Sequence, residues 1–173
     1  MHDQAVAVAV HDSHALAEQS IQKLRDSGFD MKVVSILGRE TAAPEDAAGF
    51  HGAADRVRFS AELGVFWGGL LGALLSPARF LLPGLGSVLA LGPVATVIAD
   101  ALEGAIVAGG AGALAGALGS IGIPHASSQR YEDEIKAGKF LVMVRGTPEQ
   151  AARAHEILDQ GGTSEIHPPP PVA

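Results

Sequence analysis

Residues 5–38, with the sequence AVAVAVHDSHALAEQSIQKLRDSGFDMKVVSILG, decide the fold. Alanine alternates with valine over residues 5–10, and this β-branched run ends at polar residues, which predicts a strand. A helix is expected to follow, because the Asp and Ser at residues 12–13 can cap its first turn and Gly28 can end it in the left-handed conformation. Residues 31–38 favour a second strand, which completes a βαβ unit.

The C-terminal part of the chain predicts a matching unit. We expect a helix capped by Ser127 or Ser128, a strand over residues 139–145, a second helix opened by the capping box Thr147-Pro148-Glu149-Gln150, and a last strand over residues 164–167. Taken together, the order β-α-β followed by α-β-α-β is the split βαβ arrangement of ferredoxin-like domains. The sequence therefore predicts an α+β fold of ferredoxin-like topology, interrupted in the middle.

The interruption is a long apolar insertion that contains few charges. We therefore divide the chain into a first half-domain with a linker, a hydrophobic helical hairpin, a second half-domain and a proline-rich tail, which we place at residues 1–59, 60–123, 124–167 and 168–173. The tail is expected to be an exposed polyproline segment, because proline cannot join a sheet ladder.

Small residues recur at every fourth position of the insertion, where we predict one helix over about 60–76 and another over about 93–121. Stripes of small residues let helix backbones approach closely in lipid, where no hydrophobic effect drives helices together. Two matched stripes are more specific evidence for close helix packing than a single GxxxG match. The residues that we select for helix packing and oligomerisation are Gly64, Gly68, Gly72, Gly104, Ala108, Gly112 and Gly116.

The length of the insertion favours a membrane or an equally dry assembly. The second helix exceeds the roughly 20 apolar residues that cross a bilayer, whereas the first is shorter. The connector at 77–92 is apolar but contains proline and glycine, so it must lie at an interface, form a helical piece or bury itself in protein.

Topology and charge together predict a location. The two half-domains can share a sheet only if the insertion leaves and returns on the same side, and basic residues flank the apolar stretch. By the positive-inside rule we expect a bacterial inner-membrane protein with both soluble halves in the cytoplasm. A cytoplasmic assembly is the alternative.

Composition argues against several classes of function. The net charge of -7 makes nucleic acid an unexpected partner, and the absence of cysteine removes disulfides, thiolate metal sites and a cysteine nucleophile. No catalytic motif or phosphate-binding loop is recognisable, so we expect no enzyme, no cofactor and no metal site. We interpret His11 and His14 as surface residues, and we expect four other histidines to be solvated, namely His51, His125, His155 and His167.

Arg79, Asp100 and Glu103 are the only formal charges between Leu63 and Gln129. Asp100 and Glu103 share a helix face in the predicted second helix, so an intramembrane site for ions or protons is one interpretation. The other interpretation, which we favour, is that they reach interfacial water or pair with Arg79 or a neighbouring subunit.

Several motifs occur in an order that resembles a known family. They are residues 8–29 (Val-x-Val at the start and Gly-Phe at the end), Leu63-Gly64-x-Phe-Trp-Gly-Gly-Leu, residues 101–105, Ile121-Gly-Ile-Pro124 and residues 131–139. Together they resemble the bacterial general-stress-protein 17M-like membrane proteins, over nearly the whole chain. The resemblance implies a stress-associated protein with a soluble α/β domain around a hydrophobic hairpin, and it implies no catalytic residues.

We therefore expect a non-enzymatic structural protein, embedded in or associated with a membrane, whose partners are lipid and other copies of itself. A soluble ring or shell that buries the hairpins between subunits, and encloses lipid in one version, is the alternative. An ion or proton transport or sensing component that uses Asp100 and Glu103 is the third hypothesis.

Overall fold

The computed structural model describes residues 4–39, 78–82, 85–93, 95–97, 99–100 and 112–168. Within these residues the protein is a mixed α/β structure with an antiparallel sheet. Its helices and strands, in chain order, are β1 (Ala5–His11), α1 (His14–Asp26), a 3-10 turn (Met31–Val33), β2 (Val34–Arg39), β3 (Ala78–Leu82), β4 (Gly86–Leu91), α2 (Ala113–Ser120), α3 (His125–Lys136), β5 (Phe140–Gly146), α4 (Pro148–Leu158) and β6 (Thr163–His167).

The six strands form one sheet in the order β3-β4-β2-β5-β1-β6, and neighbouring strands are antiparallel. The four strands predicted for the two half-domains are consecutive in this sheet, in the order β2-β5-β1-β6. β2 and β5 lie side by side at the centre, where Gly38 pairs with Phe140 and Val34 with Val144. In the chain, these two central strands are separated by the linker, the insertion and α3.

Helices cover both faces of the sheet. Ala5, Ala7 and Ala9 of β1 pack in one core cluster with α1 and α4, and the alternate residues Val6 and Val8 pack in a second cluster with α2 and α3. Successive strand residues point to opposite faces, so a strand that is buried on both faces is apolar at every position. This burial explains the uninterrupted run that begins β1.

Local helix signals are largely confirmed. The Ser13 side chain caps α1 by accepting from Leu16 N–H at 3.3 Å, and Gly28 follows the helix with φ of 85°. The capping box of α4 is present, with Pro148 in the first turn. The predicted cap of α3 is wrong: the helix begins at His125, and Ser128 is buried and donates to the Ile123 carbonyl at 3.2 Å.

The connector predicted at 77–92 contains strands. β3 and β4 form a hairpin that extends the sheet beside β2, with Leu37 paired to Ala90, and Leu85 and Val88 enter the core. Of the three predicted outcomes, burial in protein is the one that the described residues match. On the side of β2 that faces away from β5, backbone N–H and C=O groups need partners, and β4 supplies them. This pairing depends on a strand that is distant in the chain, so the local sequence could not predict it.

The continuous second helix predicted over 93–121 is wrong. Residues 93, 95–97 and 99–100 are helical, but Gly112 has φ of 84° and α2 begins only after it. A left-handed residue cannot continue a right-handed helix, and α2 instead buries Leu114 and Leu118 against the sheet. The first helix predicted at 60–76 lies outside the described residues. None of the described helices has both the length and the hydropathy needed to cross a bilayer.

Candidate functional site

A groove of about 260 Å³ opens where α3 meets the ends of β1 and β6. Its lining combines the apolar side chains of Val10 and Leu16 with charged and polar side chains from β1, α3 and β6. The backbone of Gly161 and Gly162, which leads into β6, closes one side.

Tyr131 is the centre of a polar network on one wall of the groove. Its hydroxyl lies 2.7 Å from His167 Nε2 and 3.2 Å from Glu165 Oε2, and Arg130 also donates to Glu165 Oε2. An ionised carboxylate only accepts hydrogen bonds, so all groups are satisfied when His167 Nε2–H donates to Tyr131 and Tyr131 donates to Glu165. The network ties the edge strand β6 to α3.

Burial sets the protonation of this network. Desolvation raises the pKa of the Tyr131 hydroxyl far above its ordinary value, and Glu165 adds to the rise. Desolvation also lowers the pKa of His167, more than the neighbouring carboxylate raises it. Although burial acts to raise the pKa of Glu165, the hydrogen bond from Arg130 lowers it overall. The network is therefore a neutral phenol and a neutral imidazole beside an ion pair.

His11 is buried beneath the glycine pair, with 1% of its surface exposed. Its Nδ1 lies 3.2 Å from the Gly161 carbonyl, and a Cβ at Gly162 would lie 2.8 Å from the same nitrogen. Nδ1–H therefore donates, and Nε2 is a lone-pair acceptor with no hydrogen-bond partner among the described residues. Burial lowers the pKa of His11, more than Gly161 and Asp12 raise it.

The remaining charges of the groove are already paired. Lys139 Nζ lies 2.6 Å from Glu134 Oε2 and 3.6 Å from Asp12 Oδ1. With Arg130 bound to Glu165, each of the two cations in the lining has a carboxylate partner. The described residues contain no group of three or more His, Cys, Asp or Glu side chains arranged to hold a metal ion. The groove presents paired charges and no recognisable ligand set for a cofactor.

A second polar contact fixes β6 from the opposite face of the sheet. Ser164 Oγ lies 2.5 Å from His155 Nδ1 and 3.3 Å from Asp159 Oδ1. These residue types occur in hydrolase triads, but in a triad the carboxylate orients the imidazole, whereas Asp159 accepts from the serine here. The contact joins β6 to α4, so side chains hold this edge strand on both faces.

Of the residues predicted for helix packing, Gly112 and Gly116 lie in the described part of the chain, and neither lines this groove. Gly112 and Gly116 are exposed, and a Cβ built at either would meet no atom of the described residues within 4 Å. Asp100 is also exposed, and Arg79 lies in β3, paired with Leu89. The other selected residues lie outside the described part of the chain: Gly64, Gly68, Gly72, Glu103, Gly104 and Ala108.

Two histidines were predicted incorrectly. His11, which we interpreted as a surface residue, and His167, which we expected to be solvated, are buried, at 1% and 5% exposed. His125 is exposed as expected. His11 directly continues the apolar run of β1, which is a usable signal of burial. No signal marks the contact between His167 and Tyr131, because 36 residues separate them.

No protein-family model matches the chain, and no curated protein or solved structure matches it at a significant level. Its own residues and their geometry are the basis for a functional proposal.

Proposed function

We propose that the chain is a non-enzymatic, membrane-associated structural protein that self-assembles through an apolar insertion carried by a ferredoxin-like domain. The strand order β2-β5-β1-β6 supports the domain assignment, because it is the order of a split βαβ fold with α1 and α4 as its two crossover helices. In this view the linker, the insertion and α3 together replace the short turn that would join β2 to β5.

The attachment points of the insertion support a hairpin that returns to its starting side. Gly38 at the end of β2 and Phe140 at the start of β5 are direct partners in the sheet. Between them the chain already returns to the sheet at Ala78 in β3, so an excursion through residues 60–76 comes back to the domain it left. That return fits an even number of membrane crossings or a loop that dips into one leaflet. The apolar, nearly uncharged sequence of residues 60–76 is the part that we assign to the membrane.

The exposed face of α2 is the observation that carries self-assembly. Leu114, Ala115, Ala117 and Leu118 anchor the helix in the core, whereas Gly116 on the other side is exposed with open space around its Cα. Glycine at that position weakens a helix by about 1 kcal/mol relative to alanine, and no contact with another described residue requires it. Close approach of a second helix is a physical reason for such a residue.

A soluble homo-oligomeric assembly is the second candidate. Part of the insertion, including Leu85, Val88 and Leu118, is already buried in the α/β domain, which favours an insertion that packs on protein. For the transport hypothesis, the exposed position of Asp100 favours a carboxylate in contact with water over an intramembrane site. Association with bacterial stress stays part of the proposal through the family resemblance alone.

Gly116→Leu tests the proposed contact without disturbing the domain. A Cβ at 116 meets no atom of the described residues within 4 Å, but a leucine there would force two helix backbones apart in an assembly. We expect the native particle to dissociate into smaller species while the circular dichroism of the chain is unchanged. Ala152→Leu, at an exposed position of α4, is the matched control and should leave the particle intact. An unchanged particle in the Gly116→Leu chain would refute the proposed contact.

Membrane association needs its own measurement. Full-length protein would be separated into membrane and soluble fractions, and its native mass measured with and without detergent. Recovery with the membrane supports the main proposal, and a large defined particle that forms without detergent supports the soluble assembly. A monomer in the soluble fraction would contradict both.

A further inference from the structure

Residues 161–167 comprise the glycine pair and strand β6, and we call them the β6 segment. Among the described residues β6 pairs only with β1, and His167 is the one buried residue of its five. An edge strand with so little buried surface gains little from packing, and such segments open locally more readily than the core of a domain. The side-chain contacts of the β6 segment therefore decide how often it opens.

Imidazoles hold the β6 segment at both of its ends. At the start, His11 Nδ1 of β1 lies 3.2 Å from the Gly161 carbonyl, and at the end, His167 Nε2 lies 2.7 Å from the Tyr131 hydroxyl of α3. The two rings are buried, and each is covered by the segment or belongs to it. Histidine changes charge close to neutral pH, so mild acid acts on both of these contacts.

A protonated His11 ring has no acceptor for its second N–H. Nδ1–H already donates to the Gly161 carbonyl, and Nε2 has no hydrogen-bond partner among the described residues. The Gly162 backbone covers the same ring, since a Cβ at that residue would lie 2.8 Å from Nδ1. A buried charge without a partner is costly, and departure of the β6 segment would let water solvate it.

The charged and titratable groups of the elements around His11 have other partners. Asp12 raises the pKa of His11, but burial lowers it by more. The groups at this end of the sheet pair among themselves or with Ser164, and they are Asp12, His14, Glu18, Glu134, Lys139 and Asp159. His14 contacts Glu18 and Phe140, which do not belong to the β6 segment, so its surroundings should not change when the segment leaves.

His167 faces one carboxylate and two guanidinium groups. Burial lowers the pKa of His167, Arg130 lowers it further, and Glu165 raises it by less than burial lowers it. Arg145 of β5 lies on the same face of the sheet, because Val6 of β1 is the direct partner of both Arg145 and His167. A proton on His167 would thus be buried close to other cations, and it too favours a solvated ring.

We propose that mild acid releases the β6 segment from the sheet by protonating His11 and His167, while the rest of the domain stays folded. Release solvates both rings together, so two protons favour one opening. It uncovers the outer edge of β1 over residues 6–10 and the wall of the groove that contains Tyr131. This acid-sensitive edge goes beyond the proposed function and does not depend on self-assembly.

The sign and size of the effect follow from the ordinary histidine pKa of 6.5. Well above pH 6.5 both rings are neutral whether the segment is bound or released. Below it, the released state binds protons more tightly than the bound state, so release increases. Between pH 6.5 and 5.5, one such proton raises the opening constant by at most about fivefold, and two raise it by at most about thirtyfold. Glu165 stays ionised in this range, because its pKa is lowered from 4.5.

Hydrogen exchange of the full-length protein at pH 6.5 and 5.5 tests the release, after correction for the intrinsic pH dependence of amide exchange. The β6 amides bonded to β1 should lose more than about fivefold and less than about thirtyfold of their protection. Amides of β5, at the centre of the sheet, report opening of the whole domain and should stay more protected than those of β6. A loss in β6 of fivefold or less, or equal protection of β6 and β5, would overturn the proposal.

Three variants assign the effect to the two rings. His11→Asn and His167→Gln each keep an amide donor near the original ring nitrogen but cannot take up a proton, so each should reduce the loss to about fivefold or less. His155→Gln is the control, because His155 contacts Ser164 of the same strand and its ring can donate to that hydroxyl in either charge state. It should keep the wild-type loss. A loss above fivefold in the doubly substituted His11→Asn/His167→Gln protein would refute the assignment.

Discussion

Helix α2 depends on a carboxylate from another helix for its N-terminal cap. Its N-cap residue is Gly112, which offers no side chain, and Glu132 of α3 supplies the missing acceptor: its Oε2 accepts from the Ala115 N–H at 2.9 Å. Its other oxygen lies 3.1 Å from Lys136 Nζ, and the Glu132 side chain is only 9% exposed. Replacement of Glu132 should therefore loosen the docking of α2 on the sheet.

The expected loss follows from the contacts of this carboxylate. Removing a capping acceptor costs about 1 kcal/mol, and removing a negative charge at a helix N-terminus costs about 0.3–1 kcal/mol more. The Lys136 pair adds little, because Lys136 is 44% exposed. Glu132→Ala should lower the free energy of unfolding by about 1–2 kcal/mol, and Glu132→Gln, which keeps an acceptor, by less than about 1 kcal/mol.

Urea unfolding followed by circular dichroism would measure these losses, and hydrogen exchange would locate them. We expect the α2 amides, led by Ala115, to lose most protection in the Glu132→Ala protein. Asp133→Ala is the control on the same helix, since Asp133 is 76% exposed and its contact with Lys136 is 3.9 Å long. If both alanine variants unfold within about 0.5 kcal/mol of each other, the capping role assigned to Glu132 is wrong.

Three further changes test other parts of the domain. Tyr131→Phe should destabilise the protein by about 1–3 kcal/mol, because it leaves buried His167 without its partner; a change below about 0.5 kcal/mol in urea unfolding would contradict this. Burial lowers the pKa of His11 and His167, so the folded state binds fewer protons than the unfolded state; stability should be highest above about pH 6.5 and fall as the pH drops below it, which thermal unfolding at several pH values would show. A Cβ at Gly38 would overlap the ring of Phe140, so Gly38→Ala should lower the melting temperature, and Phe140→Leu should restore part of it.

Local signals predicted the two half-domains well, because the energetics behind them lie within a few residues. The Ser13 cap, the left-handed Gly28 and the capping box at Thr147 each satisfy backbone groups in a single helix turn. The apolar spacing of Ile21 and Leu24 likewise matches the buried face of α1. Such features are readable without knowledge of the partner elements.

Features that depend on distant partners were predicted poorly. The β3–β4 hairpin exists because β2 offers it an unfilled edge, and the apolar sequence at 78–91 is equally compatible with a buried connector. The break at Gly112 shows the same limit, since a glycine in an apolar run suits both a packing stripe and a helix start. The buried state of His167 depends on a tyrosine in another element of the fold. In each case tertiary contacts decided between structures that the local sequence permits.

The position of the apolar segment 60–76 also has a mechanical consequence. The chain leaves the sheet at Arg39, the last residue of β2, and returns to it at Ala78, the first residue of β3. A force that pulled this segment away from the domain would therefore load β2 and the outermost strand β3 directly. The strands β1 and β6, on the other side of β5, would carry that force last.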